Sequence, residues 1–147
     1  LYALKVWGSL KALPHLDLQK EKALRDLLNE LHTRSLVRSI RDCGTGGLAV
    51  SLVKACLLSS RPAGLGFDGD LSKTQMRRDY LLFGEDQGRV IVELEGKNRA
   101  ELMKLAERFG IEAKKLGVVT DQPRFSLRPT LSMDLDRLEK AWKSVYV

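Results

Sequence analysis

Residues 40–48 read Ile-Arg-Asp-Cys-Gly-Thr-Gly-Gly-Leu, and an apolar run from Ala49 to Leu58 follows them directly. A short β-like run, Val37 to Ile40, precedes this loop. The segment Gly47 to Leu58 is apolar nearly all round, which predicts a buried helix. The loop therefore joins a strand to a helix N-terminus. Glycines let backbone N–H groups approach a ligand closely, and a helix N-terminus favours anions.

Asp42 stands at the end of the predicted strand, where its carboxylate is interpreted as the holder of a cation, Mg²⁺ that bridges to phosphate. Gly44, Gly46 and Gly47 would offer backbone donors to that phosphate. Two structural alternatives stay open. Asp42 would cap the following helix through its carboxylate, and the glycines would serve only the tight packing of helix against strand.

A second polar loop lies further along the chain. Residues 82–89 read Leu-Phe-Gly-Glu-Asp-Gln-Gly-Arg and lead into Arg89 to Leu94, the clearest strand pattern in the chain. A purely structural role for this loop stays open: Glu85 and Gln87 would be turn residues that anchor the strand, and Arg89 would pair with Glu85 across the turn. An ion pair of that kind contributes little stability where it is exposed.

The remaining pattern mixes helices and strands without strict alternation, so the predicted class is α+β: one domain over residues 1–147, with a mixed β-sheet packed against amphipathic helices. The final helix is predicted to be capped by Ser132 and to bury Leu135, Leu138 and Trp142. The other predicted helices are Asp17 to Ser35, Thr74 to Leu82 and Asn98 to Phe109, and the other predicted strands are Leu65 to Leu71 (an edge strand), Ala113 to Thr120 and Arg124 to Leu127.

Composition restricts the class of protein. The chain has 147 residues, of which 44% are hydrophobic and 30% charged, an ordinary globular balance. No apolar run approaches the roughly 20 residues that cross a bilayer, so no membrane partner is expected. The net charge is +6, but the basic residues are spread among acidic ones, so no nucleic-acid partner is expected either. The chain begins without Met or a signal-peptide pattern, so we expect part of a longer, cytoplasmic protein.

Cys43 and Cys56 are the only cysteines, and their spacing fits neither a zinc site nor a disulfide framework. They are expected to be small buried thiols in a reducing cytoplasm. A nucleophilic Cys43 at a helix start would need a neighbouring base. Neither His15 nor His32 has a sequence context that places it there.

The two loops together resemble a known family. Residues 41–49 are similar to the family motif H/Q-D-x-S/G-x-G/A-G-L-A, and residues 82–89 are similar to L-F-S/G-E-S-Q-x-R, which in the family also precedes a hydrophobic strand. The segments around Gly64 to Gly66, Leu105 to Val119 and Leu131 to Trp142 resemble the family as well. The family is the C-terminal domain of the aminoimidazole-ribonucleotide-synthase superfamily, and within it the phosphoribosylformylglycinamidine synthases of purine biosynthesis.

The resemblance implies an activity for the full-length enzyme. This is the ATP- and Mg²⁺-dependent conversion of formylglycinamide ribonucleotide to its amidine with glutamine-derived ammonia. It implies Asp42 as a Mg²⁺ ligand, Glu85, Asp86 and Gln87 as contacts to the phosphoribosyl substrate, and no catalytic residue within this chain. The partners it implies are the protein's own N-terminal ATP-binding domain and a glutaminase subunit or domain. The chain alone is therefore expected to be inactive and to hold no cofactor tightly.

Two positions depart from the family pattern. Arg41 stands in place of His or Gln, and Asp86 in place of Ser, so a carboxylate replaces a hydroxyl that would donate to phosphate. The family's synthetase contains two pseudo-symmetric copies of the domain, and only one shapes the working site. The alternatives are therefore a non-catalytic scaffold copy of the same domain, or the corresponding domain of another ATP-dependent superfamily member. The motif at residues 83–89 disfavours the latter, which includes thiamine-monophosphate kinase and hydrogenase-maturation proteins.

Overall fold

The computed structural model describes residues 16–59 and 64–144, so His15 lies outside the described residues. Within these ranges the chain forms two compact units. The first contains the described residues up to Gly47 together with Gly84–Lys114. The second contains the described residues of Leu48–Phe83 and those from Lys115 onward. No helix in the described part of the chain is both long and apolar enough to cross a membrane.

The helices and strands are numbered here in chain order, and a 3₁₀ turn at Gly96–Asn98 precedes α4. They are α1 (Leu18–Thr33), β1 (Ser39–Asp42), α2 (Gly47–Leu57), β2 (Gly66–Asp70), α3 (Arg78–Phe83), β3 (Val90–Glu93), α4 (Arg99–Arg108), β4 (Gly117–Thr120), β5 (Arg124–Arg128), β6 (Leu131–Asp134) and α5 (Leu135–Lys143). The predicted class, α+β with amphipathic helices and a mixed sheet, is confirmed. That residues 1–147 form one domain stays a prediction.

The first unit packs α1 against α4. Helix α1 begins where the sequence predicts, because the side chain of Asp17 accepts hydrogen bonds from two backbone N–H groups of the first turn, at 3.0 and 3.1 Å. Leucines at helical spacing then form the core, which consists of Leu27, Leu31, Leu102, Leu105 and Ala106. Strands β1 and β3 pair antiparallel in the same unit, with Asp42 opposite Val90.

The second unit contains a four-stranded sheet in the order β4-β2-β5-β6. Strand β2 runs parallel to β5 and antiparallel to β4. Phe125 and Leu127 alternate along β5 and are fully buried. The Phe67 ring stacks on that of Phe125 with 5.8 Å between centroids. The core of this unit is therefore built on the inner strands of the sheet.

Several predicted elements differ in position or extent. The predicted edge strand at residues 65–71 is an interior strand, because β4 and β5 pair with its two sides. Ser132 does not cap the last helix, since it lies in β6 opposite Ser126, and Asp134 occupies the N-cap position. Helix α3 begins at Arg78 rather than Thr74, and β4 begins at Gly117 rather than Ala113.

The predicted apolar face of the last helix is present in part. Leu135 is buried, whereas Leu138 and Trp142 are half-buried. A single mixed sheet is predicted, and the structure instead has the mixed four-stranded sheet together with the separate β1–β3 pair. The strand predicted at residues 37–40 is observed two residues later, as β1, so that it includes Asp42.

Candidate functional site

The antiparallel pair β1–β3 brings the two sequence motifs together. Asp42, the last residue of β1, lies opposite Val90, the first residue of β3. The ladder extends one step further, because the N–H of Cys43 donates to the carbonyl oxygen of Arg89 at 2.9 Å. In an antiparallel pair the end of one strand meets the start of the other. The glycine loop that follows β1 and the polar turn that precedes β3 therefore lie side by side.

The glycine loop makes a tight turn before α2. The N–H of Gly47 donates to the carbonyl oxygen of Gly44 at 2.9 Å, which closes a four-residue turn. Gly46 has φ +88° at the third position of this turn, the value that a type II turn requires and that glycine adopts without strain. Gly47 has φ +66°. The loop conformation thus depends on glycine at positions 46 and 47.

Glu85 joins the second motif to this loop directly. Its Oε1 accepts a hydrogen bond of 2.9 Å from the N–H of Gly46, in partly buried surroundings and across 39 residues of sequence. The carboxylate that meets the loop ahead of α2 is therefore that of Glu85, whereas the structural alternative from the sequence assigns a capping carboxylate to Asp42. The polar turn that carries Glu85 is closed by a hydrogen bond of its own, in which Arg89 Nη1 donates to the carbonyl oxygen of Gly84 at 3.1 Å.

Asp42 is exposed beside the glycine loop. Its Oδ2 lies 3.0 Å from the point where a side chain at Gly44 would begin, so the carboxylate lies close to the loop backbone. In the described residues no group of three or more His, Cys, Asp and Glu side chains is arranged to hold a metal ion. Mg²⁺ commonly takes only one or two protein carboxylates and completes its shell with water and phosphate oxygens. Asp42 fits that role as a single protein ligand.

The other two predicted substrate residues lie on the outer side of the polar turn. Asp86 and Gln87 are exposed, whereas Glu85 is half-buried. The following residue, Gly88, has φ +71°, and a side chain there would begin 2.6 Å from Glu21 Oε1 of α1. Glycine is therefore needed at position 88 for its backbone angle, whereas the Glu21 carboxylate is the end of a flexible side chain that can swing aside. The sequence pattern contains no signal that Glu21 lies beside this turn.

The Cys43 thiol is buried at the base of the loop, with 6% of the residue exposed. Burial raises its pKa above the ordinary value, the positive charge of Arg89 opposes this shift, and the negative charge of Asp42 adds to it. A thiol with a raised pKa is protonated at neutral pH and is a poor nucleophile. Cys43 is thus the small buried thiol that its sequence context predicts.

A separate cleft of about 340 Å³ lies in the second unit, and none of the predicted site residues lines it. It is bordered by Asp68, Asp70, Lys115 and Arg128, with Gly69 and Gly117 at the backbone. The charges of Arg128 and Asp68 are partly balanced, because the two side chains approach to 3.5 Å. Hydrogen bonds from Ser72 lower the pKa of Asp70. The candidate site is therefore the pair of loops in the first unit.

Comparison with known proteins gives a consistent result. The family model described as AIR synthase related protein, C-terminal domain, matches residues 3–129. The phosphoribosylformylglycinamidine synthase subunit PurL of Anaeromyxobacter sp. (strain K) is 34% identical over 136 residues, which are 88% of this chain and 18% of that protein. The corresponding subunit of Campylobacter jejuni subsp. jejuni (strain 81-176) is 38% identical over 135 residues, 92% of this chain and 17% of that protein. The chain thus spans less than a fifth of the length of these curated relatives.

Solved structures share the fold. Phosphoribosylformylglycinamidine synthase II from Thermotoga maritima superposes with a TM-score of 0.70 at 20% identity, over 86% of this chain and 22% of that one. T. maritima PurL complexed with FGAR gives a TM-score of 0.72 at 19% identity, over 89% of this chain and 23% of that one. Identities this low establish a common fold only.

Proposed function

The chain belongs to the family of AIR synthase related proteins, C-terminal domain, and from this membership we propose that it forms part of a phosphoribosylformylglycinamidine synthase. The complete enzyme would convert formylglycinamide ribonucleotide to its amidine, with ATP as the energy source and glutamine-derived ammonia as the nitrogen donor. Solved structures show T. maritima PurL complexed with ATP and with FGAR. This chain would contribute the substrate side of the site, in the cytoplasm, and an ATP-binding domain would contribute the nucleotide side.

One observation carries the proposal: the direct hydrogen bond between Glu85 and Gly46, which joins the two family motifs. Either motif alone is a weak signal, since glycine loops and acidic turns are common in unrelated proteins. A functional site requires them to lie together, and β1–β3 pairing is what brings them together. The family match identifies the two motifs, and the strand pairing shows that they lie together.

Within the proposed site the residues have different tasks. Asp42 would hold Mg²⁺, which supplies charge neutralisation for phosphate oxygens during ATP-dependent activation of the substrate amide. Asp86 and Gln87, exposed on the outer side of the turn, are available for contact with the ribonucleotide. Gly44 lies beside the Asp42 carboxylate, where its backbone borders the proposed cation site. A glutaminase subunit or domain would deliver ammonia; one solved structure with this fold is that of PurLQS from Thermotoga maritima.

The proposal is tested in a hybrid enzyme, in which this chain replaces the matching segment of the Campylobacter jejuni relative. We expect the purified hybrid to form the amidine with ATP, Mg²⁺ and glutamine, and the isolated chain to form none. Asp42→Asn should lower turnover by about 100-fold or more, because a Mg²⁺ ligand is lost, and should raise the Mg²⁺ concentration needed for half-maximal activity. Glu107→Ala, which removes an exposed carboxylate of α4, is the matched control.

A second candidate is a non-catalytic scaffold copy of the same domain. It is favoured by the engagement of two glycine N–H groups within the protein, Gly46 with Glu85 and Gly47 with Gly44. It is also favoured by the carboxylate of Asp86, which replaces the serine hydroxyl that would donate a hydrogen bond to phosphate. Unchanged turnover and unchanged Mg²⁺ dependence in both Asp42→Asn and Gln87→Ala hybrids would establish the scaffold and exclude the substrate site.

A further inference from the structure

Glu85 differs from its neighbours in the polar turn. Asp86 and Gln87 are exposed, whereas Glu85 is half-buried and its Oε1 accepts the N–H of Gly46 at 2.9 Å. The family resemblance implies that all three residues contact the substrate. In the structure, one oxygen of Glu85 accepts a hydrogen bond from the protein's own backbone.

The position of this bond gives it a specific effect. Gly46 precedes the first residue of α2 and has φ +88°, and glycine is the residue with the most conformational freedom to lose on folding. Such a loop adopts one conformation only when surrounding groups hold it. A carboxylate that accepts a main-chain N–H makes a charge-assisted hydrogen bond, which is stronger than a neutral one. Negative charge is also favourable near a helix N-terminus.

The polar turn that carries Glu85 is itself fixed by contacts within the protein. The turn is closed by the bond from Arg89 to the Gly84 carbonyl oxygen. It continues into β3, whose first residue pairs with Asp42. The hydrogen bond from Gly46 to Glu85, called the clamp below, is therefore anchored to the same strand pair that positions Asp42.

We propose that Glu85 is a positioning residue: its carboxylate holds the N–H of Gly46, fixes the glycine loop beside Asp42, and excludes an external phosphate from that N–H. A phosphate oxygen at Gly46 would need the donor that Glu85 already uses, and two anions at one N–H repel each other. The N–H of Gly47 is also engaged, by the Gly44 carbonyl oxygen at 2.9 Å. A substrate phosphate is then bound by groups other than these two. Only this consequence for the substrate rests on the proposed function; the clamp itself does not.

The clamp is tested by amide hydrogen exchange of Gly46 in the ¹⁵N-labelled chain. Glu85→Ala should accelerate exchange at Gly46 by about 10-fold or more, the effect of one lost hydrogen bond to a charged acceptor. Glu85→Gln retains an acceptor oxygen and should stay within about 3-fold of the unsubstituted chain. Glu107→Ala, the exposed control, should leave Gly46 unchanged. Equal exchange at Gly46 in Glu85→Ala and the unsubstituted chain would overturn the proposal, as would a Gln variant that behaves like the Ala variant.

Titration with inorganic phosphate tests the exclusion, first in the unsubstituted chain and then in Glu85→Ala. In the unsubstituted chain the Gly46 amide signal should not move, and a saturable shift there would overturn the exclusion. In Glu85→Ala the same titration should move that signal, and its absence would likewise count against competition for the N–H. Both measurements are made without substrate, ATP or turnover. Their outcomes therefore do not depend on the proposed enzyme activity, which the hybrid enzyme tests separately.

Discussion

A side chain at Gly66 would collide with the backbone of a neighbouring segment. Gly66 begins β2, the interior strand between β4 and β5. A Cβ at this position would lie 1.9 Å from the carbonyl oxygen of Gln122 and 2.6 Å from that of Arg124. Both are backbone atoms, so neither can swing aside as a flexible side chain would. Overpacking a well-packed interior costs about 1–3 kcal/mol, and here a rigid backbone must move by roughly 1 Å, so we expect Gly66→Ala to cost about 3 kcal/mol or more.

The free energy of unfolding is measured by urea denaturation of the chain, with fluorescence of the tryptophans as the signal. With a urea m-value of about 1–3 kcal/mol/M, this cost corresponds to a midpoint lowered by about 1–3 M. Gly96→Ala is the matched control, because a Cβ at Gly96 meets no heavy atom within 4 Å, and it should change stability by less than about 0.5 kcal/mol. If both substitutions have equally small effects, the close approach of residues 122–124 to β2 is incorrect.

Three further predictions concern the first unit. Asp17→Ala removes the acceptor for two N–H groups of α1 and should lower the free energy of unfolding by about 1 kcal/mol; Asp17→Asn, which keeps a capping oxygen, should restore most of it. Leu105→Ala opens a cavity in the α1–α4 core and should cost about 2–5 kcal/mol in the same urea experiment. Because burial raises the pKa of Cys43, the folded state holds the thiol proton more tightly than the unfolded state does. The free energy of unfolding should therefore fall as pH rises above the ordinary thiol pKa of about 8.5, and a fall of the same size in Cys43→Ala would contradict that assignment.

The parts of the fold that local sequence signals specify were predictable. Helix α1 combines an N-cap aspartate with leucines at helical spacing, and both signals act within a few residues of where they appear. Strand β3 likewise has a continuous apolar run after a polar turn. The two family motifs were recognisable for the same reason, since each is a short segment whose residue types are fixed by its own loop.

Strand order depends on distant residues and was not predictable in this way. Gly66 and Gly69 give β2 a low intrinsic preference for sheet, which favours an edge position. In the structure these glycines are what allow an interior position, because the carbonyl oxygens of Gln122 and Arg124 fill the space that a side chain at Gly66 would need. Ser132 is similarly ambiguous, since serine suits a helix cap and a strand alike. Its pairing with Ser126 places it in β6.

The relation between Glu85 and Gly46 is the clearest case of a contact that no local signal carries. A glycine loop before a helix N-terminus suits an anion, and in the structure a carboxylate of the protein itself accepts the N–H of Gly46. The sequence specifies that a negative charge belongs there, but not whether it comes from a ligand or from a side chain 39 residues away. Only the register of β1 against β3, which aligns Asp42 with Val90, decides between them. If the two strands slipped by one residue, every side chain would change faces and Glu85 would lose its position beside Gly46. The geometry of the proposed site therefore depends first on strand register, and only then on the motif residues themselves.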